Sequence, residues 1–397
     1  METNETLLDL ECIDCGETVD AETAAARCPE CGGILDPVYD YDAIDLDRET
    51  LASRPRDSMW RYEELLPFAR ERAVTTNEGA TPLVDCGGLA AELGVERVLF
   101  KDEGRNPTGS IRDREAAVAV TAAAEAGVDD VALPAAGDAG QAVTAYAGRA
   151  DLEAHVYLPS RASHTTKSMV NVHGGEMTVV GGRFPDAAGA YEEALAEHDG
   201  WEPLSAFDTP YRHEGAKTIL FELLEDLEWT TPDAVVVPAG DGVALAGLYK
   251  AGTELLELGL IDEIPPLYAA QAEGCAPIVE AFDVDAEAHE PIDHPDTICG
   301  EIEIPDPAGG ALVLEALRAT DGGAVATDDD AILEAGIAVA KGEGLEMAPS
   351  AAAAASGTWE LGERGTFDGD ETVVVLNTGA GNKESDVLRS HLMGKGI

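Results

Sequence analysis

Four cysteines near the start of the chain carry the most specific chemistry. Cys12-Ile13-Asp14-Cys15-Gly16 and Cys28-Pro29-Glu30-Cys31-Gly32 are two short knuckles separated by twelve residues. Each can turn two thiolates toward one tetrahedral metal, with the glycine completing the turn. The spacing points to a zinc ribbon held by Cys12, Cys15, Cys28 and Cys31. Two disulfides are the alternative, which a reducing compartment disfavours. Four thiolates leave no open coordination position, so such a zinc is structural rather than catalytic. Cys86, Cys275 and Cys299 are scattered and read as packing residues. A second candidate is Pro238-Ala239-Gly240-Asp241-Gly242-Val243, which joins a β-rich run to a helical one. Free backbone N–H groups and the helix dipole make such a loop a phosphate cradle. Asp241 places a carboxylate in it, and the same side chain can cap a helix starting near Val243.

The elements that must position these residues alternate along the chain. Strands are expected at Val98–Phe100, Val131–Leu133, His155–Leu158, Met177–Val180, Ala234–Val237, Tyr268–Ala272 and Val373–Leu376. Alanine-rich helical runs separate them: one capped by Thr108 or Ser110 and ending near Gly127, then Gly140–Arg149, a run from Ser163, Asp186–His198, Glu214–Leu227, Val243–Leu256 and Ser350–Gly362. This alternation predicts α/β architecture with parallel sheets and a ligand cleft between two domains. The expected division is a zinc-ribbon-like segment over 1–40, a large α/β domain over 41–120 plus 205–397, and a smaller α/β domain over 121–204.

Composition removes several classes of function. Hydrophobic residues make up 45% of the chain, enough for a globular core. Acidic residues number 78 against 25 basic ones, for a net charge of −53. The acids are spread along the whole length, as on a salt-adapted, halophilic surface. Nucleic acid is not an expected partner, because phosphate binding wants clustered Lys and Arg. No apolar run is long enough to span a membrane, and the polar, acidic start lacks the marks of a signal peptide, so a cytoplasmic protein is expected.

Asn106-Pro107-Thr108-Gly109-Ser110-Ile111-Arg112-Asp113-Arg114 closely resembles the Asn-Pro-Thr-Gly-Ser-Phe-Lys-Asp-Arg signature of threonine synthases. Further stretches are similar to that family: the N-terminal cysteine pairs, Met59-Trp60-Arg61-Tyr62, Gly79-Ala80-Thr81-Pro82-Leu83-Val84, Tyr211-Arg212-His213-Glu214-Gly215-Ala216-Lys217-Thr218 and Glu273-Gly274-Cys275-Ala276-Pro277-Ile278-Val279. The resemblance runs nearly end to end, to Lys383. It implies the two-domain pyridoxal phosphate (PLP) fold type II, of the tryptophan synthase β superfamily. It also implies a lyase of amino-acid biosynthesis converting O-phosphohomoserine to threonine and phosphate, and a homodimer.

The departures fall on the site. Arg112 stands at the Schiff-base lysine position. Arginine stays protonated in a protein, so it cannot be that nucleophile. The family's Ser/Thr-Gly-Asn turn, whose asparagine meets the PLP 3′-oxygen and whose hydroxyls help hold the substrate carboxylate, is Ala135-Ala136-Gly137-Asp138 here. The PLP phosphate loop, Gly-Asn-Gly-Gly in the family, is Gly240-Asp241-Gly242-Val243. Thr378 matches the threonine at the PLP ring nitrogen, although the histidine that follows in the family is Ala380. Arg212 matches an arginine thought to help bind the substrate phosphate, with a surface ion pair as its other reading. Two carboxylates oppose a cofactor that carries a phosphate and a phenolate. The reading is a threonine-synthase-like pseudoenzyme that binds a small anionic or amino-acid-like ligand or regulates a catalytically complete relative. The alternative is an active PLP-dependent lyase with noncovalent PLP or a relocated lysine, Lys101 or Lys217. Arg112, Asp138 and Asp241 are expected in one cavity, with Arg112 pairing first with Asp138 and then with Asp241 in the volume PLP would need. The competing reading turns Arg112 outward onto a surface acid.

Overall fold

Valine- and alanine-rich runs alternate in this chain because each strand of a parallel sheet is covered on both faces and each helix must lie flat upon it. The computed structural model describes residues 1–23 and 25–395. It begins with three antiparallel strands, β1 (Leu7–Cys12), β2 (Thr18–Asp20) and β3 (Leu35–Tyr39), in the order β2-β1-β3. Then come β4 (Leu83–Asp85) and β5 (Arg97–Asp102), followed by four strands of a second sheet: β6 (Asp130–Pro134), β7 (Glu153–Pro159), β8 (Glu176–Val180) and β9 (Trp201–Pro203). These four run parallel in the order β8-β7-β6-β9. The chain then returns to the first large sheet with β10 (Ala234–Pro238), β11 (Leu267–Ala272), β12 (Gly323–Thr327) and β13 (Thr372–Asn377). That sheet has the order β12-β11-β10-β13-β5-β4 and is parallel except for the edge strand β4. Every residue of the central strand β10 is buried.

Five helices matter for the site: α1 (Arg112–Ala126), α2 (Asp138–Arg149), α3 (Arg212–Asp226), α4 (Val243–Glu257) and α5 (Pro349–Glu363). Alanine favours most of them and lets them pack closely, whereas α3 holds only Ala216; Ala351 to Ala355 of α5 are buried against the large sheet. The expected start of α1 is corrected. Neither Thr108 nor Ser110 is its N-cap; Ile111 holds that place with no side-chain cap. Thr108 instead gives its N–H and its hydroxyl to Asp113 inside the first turn, at 3.0 and 2.9 Å. The strands β4, β9 and β12 were not anticipated. β4 and β9 have only three residues each, and β12 is small-residue rich (Gly-Ala-Val-Ala-Thr), so none carries a strong pattern. Among the described residues no helix is long and apolar enough to cross a membrane.

Candidate functional site

The loops after β5, β6, β10 and β13 converge at the C-terminal ends of their strands, where open α/β sheets place their ligands. Arg112, the first residue of α1, points into this convergence. Its Nη1 donates to both oxygens of Glu115 at 2.9 Å and lies 2.9 Å from Asp241 Oδ2. Glu115 also accepts from Nε and Nη2 of Arg212, at 2.9 and 2.5 Å, and Arg212 stands 3.9 Å from Asp241. Two guanidinium groups and two carboxylates thus form one cluster that is formally neutral. The outward-turned reading of Arg112 is corrected, because its side chain is only 15% exposed. So is the surface ion pair for Arg212, whose side chain is 4% exposed.

The expected order of partners is corrected as well. Arg112 pairs with Asp241, whereas Asp138 lies 3.1 Å from Lys383 Nζ. Glu115 sits one helical turn beyond Arg112 on the same face and anchors the fork on the side of Asp241. Lys383 meanwhile neutralises Asp138. Asp241 also accepts the N–H of Val243, the first residue of α4, at 3.1 Å while it pairs, although the N-cap position is Gly242 and has no side-chain cap. The turn that allows this has Gly242 at φ +93°, a conformation that favours glycine. Burial opposes ionisation of Asp241, but Arg112 and then Arg212 outweigh it and hold its carboxyl below the ordinary value.

A residue absent from the sequence reading fills the remaining anion position. Glu301 accepts the Asp138 N–H on both oxygens, at 2.8 and 3.0 Å, at the N-terminus of α2. Gly137 is needed for this approach, because a Cβ there would stand 1.8 Å from Glu301 Oε1. Burial, then Asp138 and Glu384, push the Glu301 carboxyl well above its usual range. Burial also raises Glu384 to about 7, against the Ser350 N–H that favours its ionised form. Ala135 and Ala136 offer no hydroxyl and line the neighbouring cleft. Thr378 lines the site and accepts the Ile111 N–H on its carbonyl at 2.9 Å. Glu115 and Lys383 were also missed. The three-residue spacing from Arg112 could have revealed Glu115; nothing local marks Glu301 or Lys383, which arrive from distant loops.

The space left among Arg112, Asp138, Gly240, Asp241, Gly242, Glu301 and Thr378 is about 40 Å³. That admits a water or two, at roughly 30 Å³ each, where small-molecule sites measure roughly 300–1,000 Å³. Outward it meets a cleft of about 470 Å³ with Arg112, Asp241 and Glu301 on its floor and Phe184 and Tyr191 on its wall. Set against the positions that the resemblance implies, these side chains do not fit PLP: Arg112 stands where the amine is expected, Asp241 lies in the expected phosphate loop, and Glu301 accepts at the N-terminus of α2. The relocated lysines are corrected too. Lys101 donates to Glu222 and the Thr81 carbonyl, and Lys217 to Glu214 and Glu254, both fully buried and outside the site.

At the N-terminus, the Gly16 and Gly32 N–H groups bond back to the Cys12 and Cys28 carbonyls at 2.8 and 2.9 Å, closing the two knuckles. The four sulfurs gather within 4.8 Å of one another, with Cys12–Cys31, Cys15–Cys28 and Cys15–Cys31 at 3.5, 3.7 and 3.4 Å. A tetrahedron with metal–sulfur arms of about 2.3 Å has edges of about 3.8 Å, so the donor set fits zinc. Cys86, Cys275 and Cys299 are buried and stand apart from it.

The profile of a family described as pyridoxal-phosphate dependent enzyme matches residues 74–379. The chain is 36% identical over 371 residues to a threonine synthase of Methanosarcina acetivorans, covering 93% of this chain and 91% of that protein. It is 37% identical over 378 residues to the threonine synthase of Methanocaldococcus jannaschii, covering 94% and 93%. Its fold is similar to the processed form of threonine deaminase isoform 2 from Solanum lycopersicum (TM-score 0.67, 21% identity, 79% and 83% covered). Maize serine racemase is similar as well (TM-score 0.65, 19% identity, 80% and 94% covered).

Proposed function

The chain belongs to the pyridoxal-phosphate-dependent enzymes and, within them, to the threonine synthase family, and we propose that it is a member without Schiff-base chemistry, whose scaffold serves ligand binding or regulation. One observation carries this reading. The residue at the Schiff-base position, Arg112, is locked into Glu115 and Asp241, and Asp241 belongs to the phosphate loop itself. Recovery of the cofactor site would require more than one side chain to move. Glu301 supports the same reading, because it takes the anion position at the head of α2. The 470 Å³ cleft outside remains open to a small amino-acid-like ligand. The four N-terminal cysteines hold one structural zinc in this reading, tying the first strands together without taking part in chemistry.

The test is addition of PLP to the purified protein, followed by borohydride and mass spectrometry. The expected result is no visible absorbance band and no reduced adduct. A borohydride-stable adduct on any lysine, Lys383 beside Asp138 being the nearest candidate, would overturn the reading and restore the PLP-dependent lyase.

A further inference from the structure

A cavity of about 750 Å³ lies away from the Arg112 site, between the edge strand β4 and the C-terminal end of α3. Several independent observations mark it as built for a ligand. Its lining holds Arg56, Arg61 and Arg97, in a chain with only 25 basic residues. The Arg61 side chain is 3% exposed, yet its Nε–H has no hydrogen-bond acceptor. Ala80 and Glu228, both in the lining, have positive φ of 51° and 53°, and Trp229 follows at 66°. Such backbone is strained for residues other than glycine and gathers at binding sites. The floor is rigid, because Glu222 accepts from the Ala80 N–H, Lys101 and Arg114.

The charges say what would fit. Glu225 is held by Arg61 and Arg56, and Asp226 by Arg56 and Lys101. Among the described residues the Arg97 guanidinium pairs only with Asp85, at 3.4 Å, with both side chains about half exposed. Glu228 makes no ion pair among the described residues, so one cation and one anion face the cavity with little to hold. A lone anion would meet five lining carboxylates, and a lone cation three guanidinium groups. A zwitterion satisfies both signs. Tyr62, Leu83 and Leu227 supply an apolar wall. We propose that this cavity binds a free α-amino acid with an apolar side chain, its carboxylate on Arg97 and its ammonium on Glu228. The proposal goes beyond the reading of the Arg112 site and does not depend on it.

Isothermal titration at fixed ionic strength tests it on the full-length protein. The apolar L-amino acids are screened first. The best binder is then compared with its des-amino acid and its des-carboxy amine, for L-leucine 4-methylpentanoate and 3-methylbutylamine. The zwitterion should bind at least tenfold more tightly than either half. Arg97→Ala and Glu228→Gln, both at exposed positions, should each weaken it tenfold or more with the far-ultraviolet circular dichroism unchanged. The proposal is overturned if no apolar L-amino acid binds more tightly than about 1 mM, if either half binds as well as the whole, or if either variant keeps full affinity.

Discussion

Asp241→Gly tests whether the chain's own carboxylate is what closes the phosphate loop. The substitution removes one charge from a neutral cluster of two arginines and two acids, leaving Arg112 with Glu115. In the native protein a phosphate oxygen at hydrogen-bond distance from Arg112 would stand about 4 Å from the Asp241 carboxylate. Two like charges there repel by about 4 kcal/mol at an effective dielectric near 20. Arg112 and Asp241 are 15% and 18% exposed, and solvent screening reduces this to roughly 2 kcal/mol, or about thirtyfold in affinity. The variant should therefore bind inorganic phosphate about thirtyfold more tightly than the native chain in a calorimetric titration. It should also lose stability. Breaking a buried pair costs about 3–5 kcal/mol when a charge is stranded, but Arg112 keeps Glu115, so about 2 kcal/mol is expected, including the lost hydrogen bond from the Val243 N–H. A urea melt measures this, and phosphate at about 100 times its Kd should return roughly 2.7 kcal/mol. A phosphate affinity within threefold of the native chain's would refute the argument that Asp241 is the resident anion of the loop.

Arg112→Lys alone should release no phosphate from O-phosphohomoserine, because Asp138, Asp241 and Glu301 stay in place; turnover in a phosphate-release assay would show that the amine was the only defect. Purified protein should carry one zinc per chain by elemental analysis, and Cys12→Ser should lose the metal and lower the melting temperature; a metal-free protein that ignores chelators would remove the zinc. Glu384 has its folded value raised by burial from 4.5 to about 7. Its contribution is therefore fully present below the unfolded value and lost as pH rises through the folded one. Glu384→Gln should be nearly neutral at about pH 4 and more stable than the native chain at about pH 8.5, by at most ~3 kcal/mol; equal melts at both pH values would contradict the burial argument.

The fold was readable because its signals are local. Strand β10 is a run of valines between two helices, and Gly127 ends α1 in the left-handed conformation at φ +72°. The site was readable only as far as its motifs reached. Arg112, Asp138 and Asp241 sit in recognisable strings, so their presence in one region could be expected, and all three line the same small space. Their pairing could not be read, because it is decided by Glu115, Lys383 and Glu301, none of which belongs to a string marked for chemistry. Lys383 comes from the loop after β13 and removes Asp138 from contention. Glu301 comes from a single 3-10 turn, Gly300–Ile302, between β11 and β12, too short for any periodicity to announce an acid turned toward the site.

In the proposed reading, the charges of this site make physical sense only together. A fold of this type presents two helix N-termini, those of α2 and α4, whose free N–H groups need an acceptor. If the cofactor and substrate anions are lost, those donors are left buried and unsatisfied at about 1–3 kcal/mol each. Asp241 answers the N–H of Val243, and Glu301 that of Asp138. Each new carboxylate is itself costly to bury unless a cation stands beside it. Arg112 is that cation for Asp241. Glu301 has Asp138 and Glu384 near it and Arg112 only as a weaker influence, so its carboxyl is driven toward the protonated form. The arrangement is therefore asymmetric: the α4 end is closed by an ion pair and the α2 end by a carboxyl group that resists ionisation. A carboxylate-bearing ligand would displace Glu301 more readily than an anion would displace Asp241, which makes the α2 end the weaker of the two closures.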